Sequence, residues 1–245
     1  AEHFRDEYHI IAPDLRGHGD SQWMEGGTYT QLDYVYDIAQ LLHQKDMRPV
    51  TIIGHSLGGS ISLLYTSVYP DNVKKLVAIE GLGPSPSMQG KLKEKPTGDR
   101  IRDWMGDLRK SSGRSARRYP TLEDAFQRMQ DENPHLSEAQ ARHLTIHGSN
   151  QNEDGTFSWK FDNYVRFFAF SDLPRNDLNK LWGDIKCPTL LVRGVESWAS
   201  DPVADGRTEH FNCPIEVEAF EKAGHWVHHD QLGGFVERVR TFLAD

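Results

Sequence analysis

A serine between two glycines is the first feature of this sequence that could do chemistry. Residues 54–58 read Gly-His-Ser-Leu-Gly, the pattern G-x-S-x-G. The apolar run at 50–53 indicates a strand and residues 57–69 have helical spacing, so Ser56 is expected at a sharp strand-to-helix turn. Such a turn lifts the hydroxyl above the sheet edge, and the helix N-terminus beneath it favours developing negative charge. We interpret Ser56 as a nucleophile; the alternative is a small-residue turn that only lets helix and strand pack closely.

A nucleophilic serine needs a general base, and one histidine stands out by its position. The chain has 12 His, so a histidine alone carries little weight. His225 lies in the segment AGHW, which directly follows a predicted strand at 215–220 and precedes a predicted helix at 230–243. We interpret His225 as the base. The alternative is a loop histidine that caps the last helix.

These residues need a sheet to hold them, and the two ends of the chain supply the pattern for one. Mostly apolar strands alternate with amphipathic helices, which indicates a parallel sheet covered on both faces. Strands are predicted at 8–12, 50–53 (buried), 73–79, 188–192 and 215–220, and helices at 31–46, 57–69 and 230–243.

The middle of the chain lacks this alternation. Helical patterns occur at 121–131 and 137–147, and an aromatic-rich run covers 157–170. We therefore predict an α/β core formed by 1–82 and 184–245, with 83–183 as a helical insertion.

The order of the motifs resembles the α/β-hydrolase superfamily, in particular its serine esterases and lipases. GHSLGG is followed by the helical insertion and then by GHWVHHDQ before a terminal helix, and PDLRGHGDS at 13–21 is similar to the loop after the family's fourth strand. The resemblance implies a mostly parallel sheet flanked by helices, with the insertion as a cap. It also implies a carboxylic ester substrate and an acyl-enzyme on Ser56, with His225 acting as base and then as acid. The backbone N–H of Leu57 would be the first oxyanion-hole donor.

The third member of the triad departs from the family's pattern. Members usually carry Asp three or four residues after the Gly that ends the seventh strand. In this sequence that strand ends at Gly194, and the two positions hold Ser197 and Trp198.

Three carboxylates remain as candidates for the acid. Glu196 lies in the expected loop two residues after the Gly, and its longer side chain would offset the shift, so it is our first candidate. Glu80 ends the strand at 73–79, where the similar haloalkane dehalogenases keep their acid, and is the second. Asp201, seven residues after the Gly, is the third.

The resemblance also implies strands before the loop at 13–21, including a His-Gly loop that supplies the second oxyanion donor. That segment does not occur in these 245 residues, so we expect either a fragment or a chain that has lost it. In a complete chain the sheet edge would be unpaired, and we expect a homodimer formed through that edge.

The serine narrows the choice of reaction. The similar haloalkane dehalogenases and epoxide hydrolases use Asp as the nucleophile, which leaves esterases, lipases, lactonases, carbon–carbon bond hydrolases and perhydrolases. A non-catalytic binding module of the same fold is the alternative from another class. We predict Trp198 and Trp226 as pocket residues, and the insertion offers further aromatic side chains for a pocket or for its own core: Trp104, Trp159, Phe161, Tyr164, Phe167, Phe168 and Phe170.

Composition excludes several other classes. Lys and Arg number 28 against 36 Asp and Glu, a net charge of −8, so general attraction to nucleic acid is not expected. No run approaches ~20 apolar residues, which excludes a membrane span. We predict Cys187 and Cys213 as reduced thiols in a cytoplasmic protein. No cofactor is predicted, and no metal site, because no His and carboxylate spacing resembles one.

Overall fold

The computed structural model describes residues 1–25, 29–112, 116–167 and 175–244. The chain forms two compact units, which we call the first unit (Ala1–Tyr29 with Gly98–Phe170) and the second unit (Thr30–Thr97 with Ser171–Asp245). The division into core and insertion inferred from the sequence, with boundaries at 83 and 183, stays a prediction.

Helices outnumber strands in the described part of the chain. The strands are β1 (Val50–His55), β2 (Val73–Ile79), β3 (Ser149–Gln151), β4 (Phe157–Trp159), β5 (Thr189–Gly194) and β6 (Ile215–Phe220). The helices are α1 (Gln31–Gln44), α2 (Leu57–Val68), α3 (Pro86–Glu94), α4 (Thr97–Ser112), α5 (Leu122–Glu132), α6 (Glu138–Gly148), α7 (Arg175–Trp182), α8 (Val227–Asp230) and α9 (Leu232–Ala244).

A parallel sheet is the framework of the second unit. Its order is β1-β2-β5-β6, and every neighbouring pair is parallel. The two central strands are buried on both faces, and Leu76, Val77 and Leu190 have no exposed surface. This confirms the α/β class and the parallel sheet. Because all strands run in one direction, their carboxyl ends lie along one edge, where parallel sheets place functional residues.

Strand β1 is more exposed than predicted. We expected a buried strand, but Ile53 is 45% exposed and Thr51 is exposed as well. Within the described part of the chain β1 pairs only with β2, so it forms an edge of the sheet. An apolar run does not reveal whether a strand is central or at an edge, because both carry branched apolar residues.

The helices of the second unit form where local signals and apolar spacing agree. Thr30 and Asp33 form a reciprocal capping box at the start of α1, which occupies most of the predicted range 31–46. Helix α2 is buried along most of its length, including Leu63 and Tyr65. The predicted last helix at 230–243 corresponds to α9, which the short α8 precedes, and α9 buries residues at positions 235, 239 and 242 on one face.

The first unit contains helices and a small hairpin. Helices α5 and α6 correspond to the predictions at 121–131 and 137–147, and each begins with a capping box. They enclose a small apolar core around Phe126, Leu136 and Ala141. Strands β3 and β4 pair antiparallel. In the described ranges, no helix of either unit is long and apolar enough to cross a membrane.

The N-terminal segment differs from its prediction. Residues 8–12 form no strand, and Ile10 and Ile11 are exposed. No described strand lies beside them to satisfy their backbone groups, which a strand requires. The loop at 13–21 is instead joined to the segment after β4: the Gly19 amide donates to the Lys160 carbonyl at 2.7 Å, and the Asp162 amide donates to the Gly17 carbonyl at 2.8 Å.

Candidate active site

Ser56 occupies a strained turn directly after β1. Its backbone has φ 54° and ψ −114°, a region that residues with a Cβ rarely adopt. The Ser56 amide donates to the Ile79 carbonyl of β2 at 2.8 Å, which fixes the turn against the neighbouring strand. Ser56 also stands at the N-cap of α2, where a serine hydroxyl usually bonds a helix amide, but this hydroxyl makes no such bond. It is therefore available for another partner.

Close packing around the turn explains two of its glycines and not the third. A Cβ at Gly54 would lie 2.4 Å from the Gly58 carbonyl oxygen, and one at Gly59 would lie 2.7 Å from the Cα of Gly81. Both are nearer than side chains approach backbone. A Cβ at Gly58 would meet nothing within 4 Å. Within G-x-S-x-G, close packing therefore requires a residue without a Cβ at position 54 and does not require one at position 58.

His225 reaches the Ser56 hydroxyl from the opposite edge of the sheet. It follows β6, and its Nε2 lies 2.8 Å from Ser56 Oγ. Its loop is held at two points: the His55 imidazole Nε2 donates to the His225 carbonyl at 2.7 Å, and the Gly224 amide donates to Asp230 Oδ2 at 2.8 Å. The base is therefore anchored both to the turn that carries the serine and to α8.

Glu80, directly after the end of β2, contacts the other side of the His225 ring. Its Oε2 lies 3.4 Å from His225 Nδ1, and its side chain is fully buried. Two donors hold the carboxylate: the Gly194 amide to Oε1 and the Ser197 hydroxyl to Oε2, each at 2.8 Å. Buried carboxylates need such partners because an unpaired buried charge is costly. The Ser56 hydroxyl, the His225 imidazole and the Glu80 carboxylate thus form a continuous series of side-chain contacts within the second unit.

The other two candidate carboxylates do not take part in this series of contacts. The Glu196 side chain is exposed. Its backbone amide donates to the Ala223 carbonyl at 3.0 Å, in the loop that follows β6 and carries His225, which we call the base loop. Asp201 accepts from the Val203 amide at 2.9 Å and faces Arg193 Nη1 at 3.5 Å. The structure brings Glu80 to His225 and does not bring Glu196 or Asp201 there.

The two tryptophans predicted for a pocket have different surroundings. Trp198 is 54% exposed, and its ring centroid lies 5.2 Å from that of His225. Trp226 is half-buried and packs on the other side of the base loop, with ring centroids 5.2 Å from His55 and 5.1 Å from His229. Trp198 therefore presents an apolar face beside the reacting groups, whereas Trp226 supports the loop.

Two half-buried histidines near the base were not predicted as site residues. His55 lies within the serine motif, and its ring centroid is 4.7 Å from that of His228 on α8. Burial lowers the pKa of His55 to about 4 and that of His228 to about 3, so both are neutral at pH 7. A neutral His55 that donates from Nε2 to a carbonyl has its proton on that nitrogen. The motif contains His55, but its contact with the base loop depends on the fold.

The aromatic side chains of the predicted insertion belong to the first unit where they are described. Those within the described ranges are half-buried: Trp104, Trp159, Phe161, Tyr164 and Phe167. Phe168 and Phe170 lie outside the described residues. Among the residues that the structure describes, no three His, Cys, Asp or Glu side chains are grouped so that they could hold a metal ion.

The arrangement can transfer a proton and stabilise an oxyanion. A hydroxyl that contacts an imidazole, itself contacted by a buried carboxylate, is the geometry of an activated nucleophile. The Leu57 amide is the first of α2 and has no acceptor within the helix. It stands directly after Ser56, where a donor to a developing negative charge is needed.

Comparisons with known proteins all find similarity to hydrolases. A family model described as the alpha/beta hydrolase fold matches residues 1–232. An esterase of Mycobacterium tuberculosis, Rv0045c, is 28% identical over 240 residues, covering 95% of this chain and 74% of its own. A 2-hydroxy-6-oxo-2,4-heptadienoate hydrolase of Pseudomonas putida is 26% identical over 235 residues, covering 96% and 78%. Among solved structures, a thioesterase domain from the curacin biosynthetic pathway superposes with a TM-score of 0.80 at 24% identity, covering 97% and 83%.

Proposed function

The chain belongs to the α/β-hydrolase fold family and is a hydrolase of that family, and from this premise we propose that it cleaves carboxylic esters through an acyl-enzyme on Ser56. One observation carries the proposal: Ser56 Oγ lies 2.8 Å from His225 Nε2, while Glu80 lies on the Nδ1 side of the same ring. A nucleophile, a base and an acid in this order are what acyl transfer requires.

The reaction begins with proton transfer from Ser56 to His225. The hydroxyl oxygen attacks the ester carbonyl carbon as Nε2 takes its proton, and the carbonyl oxygen becomes an oxyanion. The imidazolium then returns the proton to the leaving alkoxide, so an alcohol departs and an acyl-serine remains. A water then gives a proton to the same nitrogen as its oxygen attacks the acyl-serine. The acid is released as the imidazolium returns that proton to Ser56 Oγ. Glu80 holds Nδ1–H in place and stabilises the imidazolium in both halves.

The oxyanion is stabilised at the start of α2. The Leu57 amide is the first donor, and the helix dipole adds partial positive charge at the same point. Trp198 offers an apolar surface beside the base for an acyl or alcohol group.

The test is a series of p-nitrophenyl esters, from acetate to decanoate, with the Ser56→Ala variant as the negative control. We expect turnover that depends on Ser56, and the chain length with the highest kcat/KM measures the acyl pocket. Ser67→Ala is the matched control, because it removes a serine of the same helix whose hydroxyl donates to the Leu63 carbonyl. Equal turnover by wild type and Ser56→Ala would contradict the proposal.

A second candidate is hydrolysis of a carbon–carbon bond. It is favoured by the similarity to the 2-hydroxy-6-oxo-2,4-heptadienoate hydrolase. The same serine, base and oxyanion donor suit both reactions, so the substrate decides between them. Release of products from 2-hydroxy-6-oxo-2,4-heptadienoate with no turnover of any ester in the series would favour this candidate. A folded protein inactive on both substrates would favour a binding module.

A further inference from the structure

Ser197 links the loop after β5 to the acid at the end of β2. Its Oγ donates to Glu80 Oε2 at 2.8 Å and accepts from the Ala199 amide at 3.2 Å. The carboxylate can only accept and the amide can only donate, so the hydroxyl proton must point to Glu80. The bond joins residues that are 117 positions apart in the sequence.

This bond falls on the carboxylate oxygen that faces the base. Oε1 is held by the Gly194 amide, whereas Oε2 has Ser197 on one side and His225 Nδ1 on the other. Without the hydroxyl, the described partners of Oε2 reduce to the imidazole alone. We propose that Ser197 is a positioning residue that holds Glu80 Oε2 against Nδ1–H of His225; this inference rests on the proposed function.

The same geometry makes residue 197 the place from which we expect a second carboxylate to approach the base. Ser197 Oγ and Glu80 Oε2 are 2.8 Å apart, so Ser197→Asp, which lengthens the side chain by one bond, extends a carboxylate oxygen toward the position of Glu80 Oε2, the atom that faces Nδ1. In a Glu80→Gln background the new amide nitrogen would donate to that carboxylate, while the amide oxygen still accepts from the Gly194 amide. We therefore expect the two positions to be interchangeable sources of the acid.

A purely structural role for Ser197 makes a different prediction. If the hydroxyl only caps the loop through Ala199, its loss lowers stability and leaves kcat unchanged. Ser200 is the matched control, because its hydroxyl also holds this loop, through Asp205 and Arg207, without a described bond to Glu80.

The first experiment measures ester kinetics and Tm for three variants. Ser197→Ala should lower kcat on the order of tenfold with KM nearly unchanged, because removing a group that orients a catalytic residue typically costs ~10–100-fold. Ser197→Thr keeps the hydroxyl and should recover most of the loss. Ser200→Ala should lower Tm and keep kcat. A Ser197→Ala variant with the kcat of wild type, or a Ser197→Thr variant as slow as Ser197→Ala, would overturn the inference.

The second experiment moves the carboxylate. We expect Glu80→Gln/Ser197→Asp to regain roughly tenfold or more of the kcat lost in Glu80→Gln, with both proteins folded by circular dichroism. No recovery would overturn the interchange of the two positions. Failure of the proposed function is visible separately, since ester turnover would then survive in Ser56→Ala whatever residue stands at 197.

Discussion

The turns that end β1 and β2 have nearly the same φ angle and different surroundings. Ser56 and Glu80 follow positions that are in register in the sheet, and their φ angles are 54° and 51°. Each amide donates at 2.8 Å to a carbonyl near the end of the next strand, Ser56 to Ile79 and Glu80 to Val192. Yet Ser56 is only half-buried, whereas the Glu80 side chain is fully buried.

The difference follows from what comes after each turn and what lies beside it. A helix begins after Ser56 and leaves the hydroxyl above the sheet edge, at the side where β1 has only one described neighbour. Glu80 lies between two strands, so the loop after β5 closes over it through Gly194 and Ser197. Under the proposed function, one turn presents the nucleophile, and its neighbour encloses the carboxylate that orients the base.

The largest effect on ester kcat is expected from removing the Ser56 hydroxyl. Ser56→Ala should lower ester kcat on the order of 10⁴–10⁶-fold, because no other group can form the acyl-enzyme. Stopped-flow measurement should also show the loss of any burst of p-nitrophenol. Residual kcat within tenfold of wild type would mean that the two turns do not divide the work as described.

Substitution of the buried Glu80 should lower ester kcat by a smaller factor, and the same substitution at Glu196 should have almost no effect. We expect Glu80→Gln to lower kcat on the order of 10²–10⁴-fold, because the amide keeps the shape of the site and loses the charge that stabilises the imidazolium. Glu196→Gln should keep ester kcat within about twofold of wild type, because the exposed Glu196 side chain is not brought to His225 and surface substitutions usually have small effects. The same ester assay measures both, and the reverse order of effects would assign the acid to Glu196.

The contact between the two turns can be tested through their glycines. Gly59, three residues after Ser56, touches Gly81, which directly follows Glu80. Gly59→Ala should reduce the free energy of unfolding by about 1–3 kcal/mol, as overpacking does. Gly58→Ala meets open space in a helix and should be neutral or stabilising by up to ~1 kcal/mol. Urea unfolding measures the pair, and equal losses would refute the steric explanation.

At pH 7 the smallest effect concerns the histidines beside the base loop, and it grows only as the pH falls. His228 has a folded pKa of about 3, below its ordinary 6.5, so the unfolded chain binds its proton first as the pH falls. Its contribution to stability is complete above pH 6.5 and is lost as the pH falls toward 3. His228→Gln should therefore flatten the loss of unfolding free energy by up to ~1.4 kcal/mol per pH unit within that window.

Urea unfolding at several pH values between about 7 and about 4 checks this, with His43→Gln, at an exposed histidine of α1, as the control. If His228→Gln and wild type lose stability in parallel, burial does not keep His228 neutral.

The sequence predicted the elements that have strong local signals. β2 and β6 have the predicted bounds, and α5 and α6 begin at Thr or Ser caps that the pattern already contains. The strand predicted at 8–12 was wrong, because an apolar run looks the same whether or not a neighbouring strand exists to pair with it. Pairing is a property of the whole sheet and not of the segment.

The same distinction applies to the site. Ser56 and His225 stand in local motifs, and the structure brings them into contact. Glu80 has no motif: it is a carboxylate at the end of an apolar strand, and its value depends on β5 lying beside β2. Glu196 ranked first because it lies in the loop where the family usually keeps its acid, but its side chain is exposed. Order along the chain did not distinguish the three carboxylates, whereas strand order in the sheet brings Glu80, and neither of the other two, to His225.

The central claim is that Ser56, His225 and Glu80 act as one unit, and covalent labelling with a fluorophosphonate tests it most directly. Mass spectrometry of the labelled peptide should place the phosphonyl group on Ser56 in wild type. We expect labelling to be abolished in His225→Gln, strongly slowed in Glu80→Gln, and as fast as wild type in Glu196→Gln. Labelling at another residue, or an equal rate in Glu80→Gln and wild type, would contradict the account.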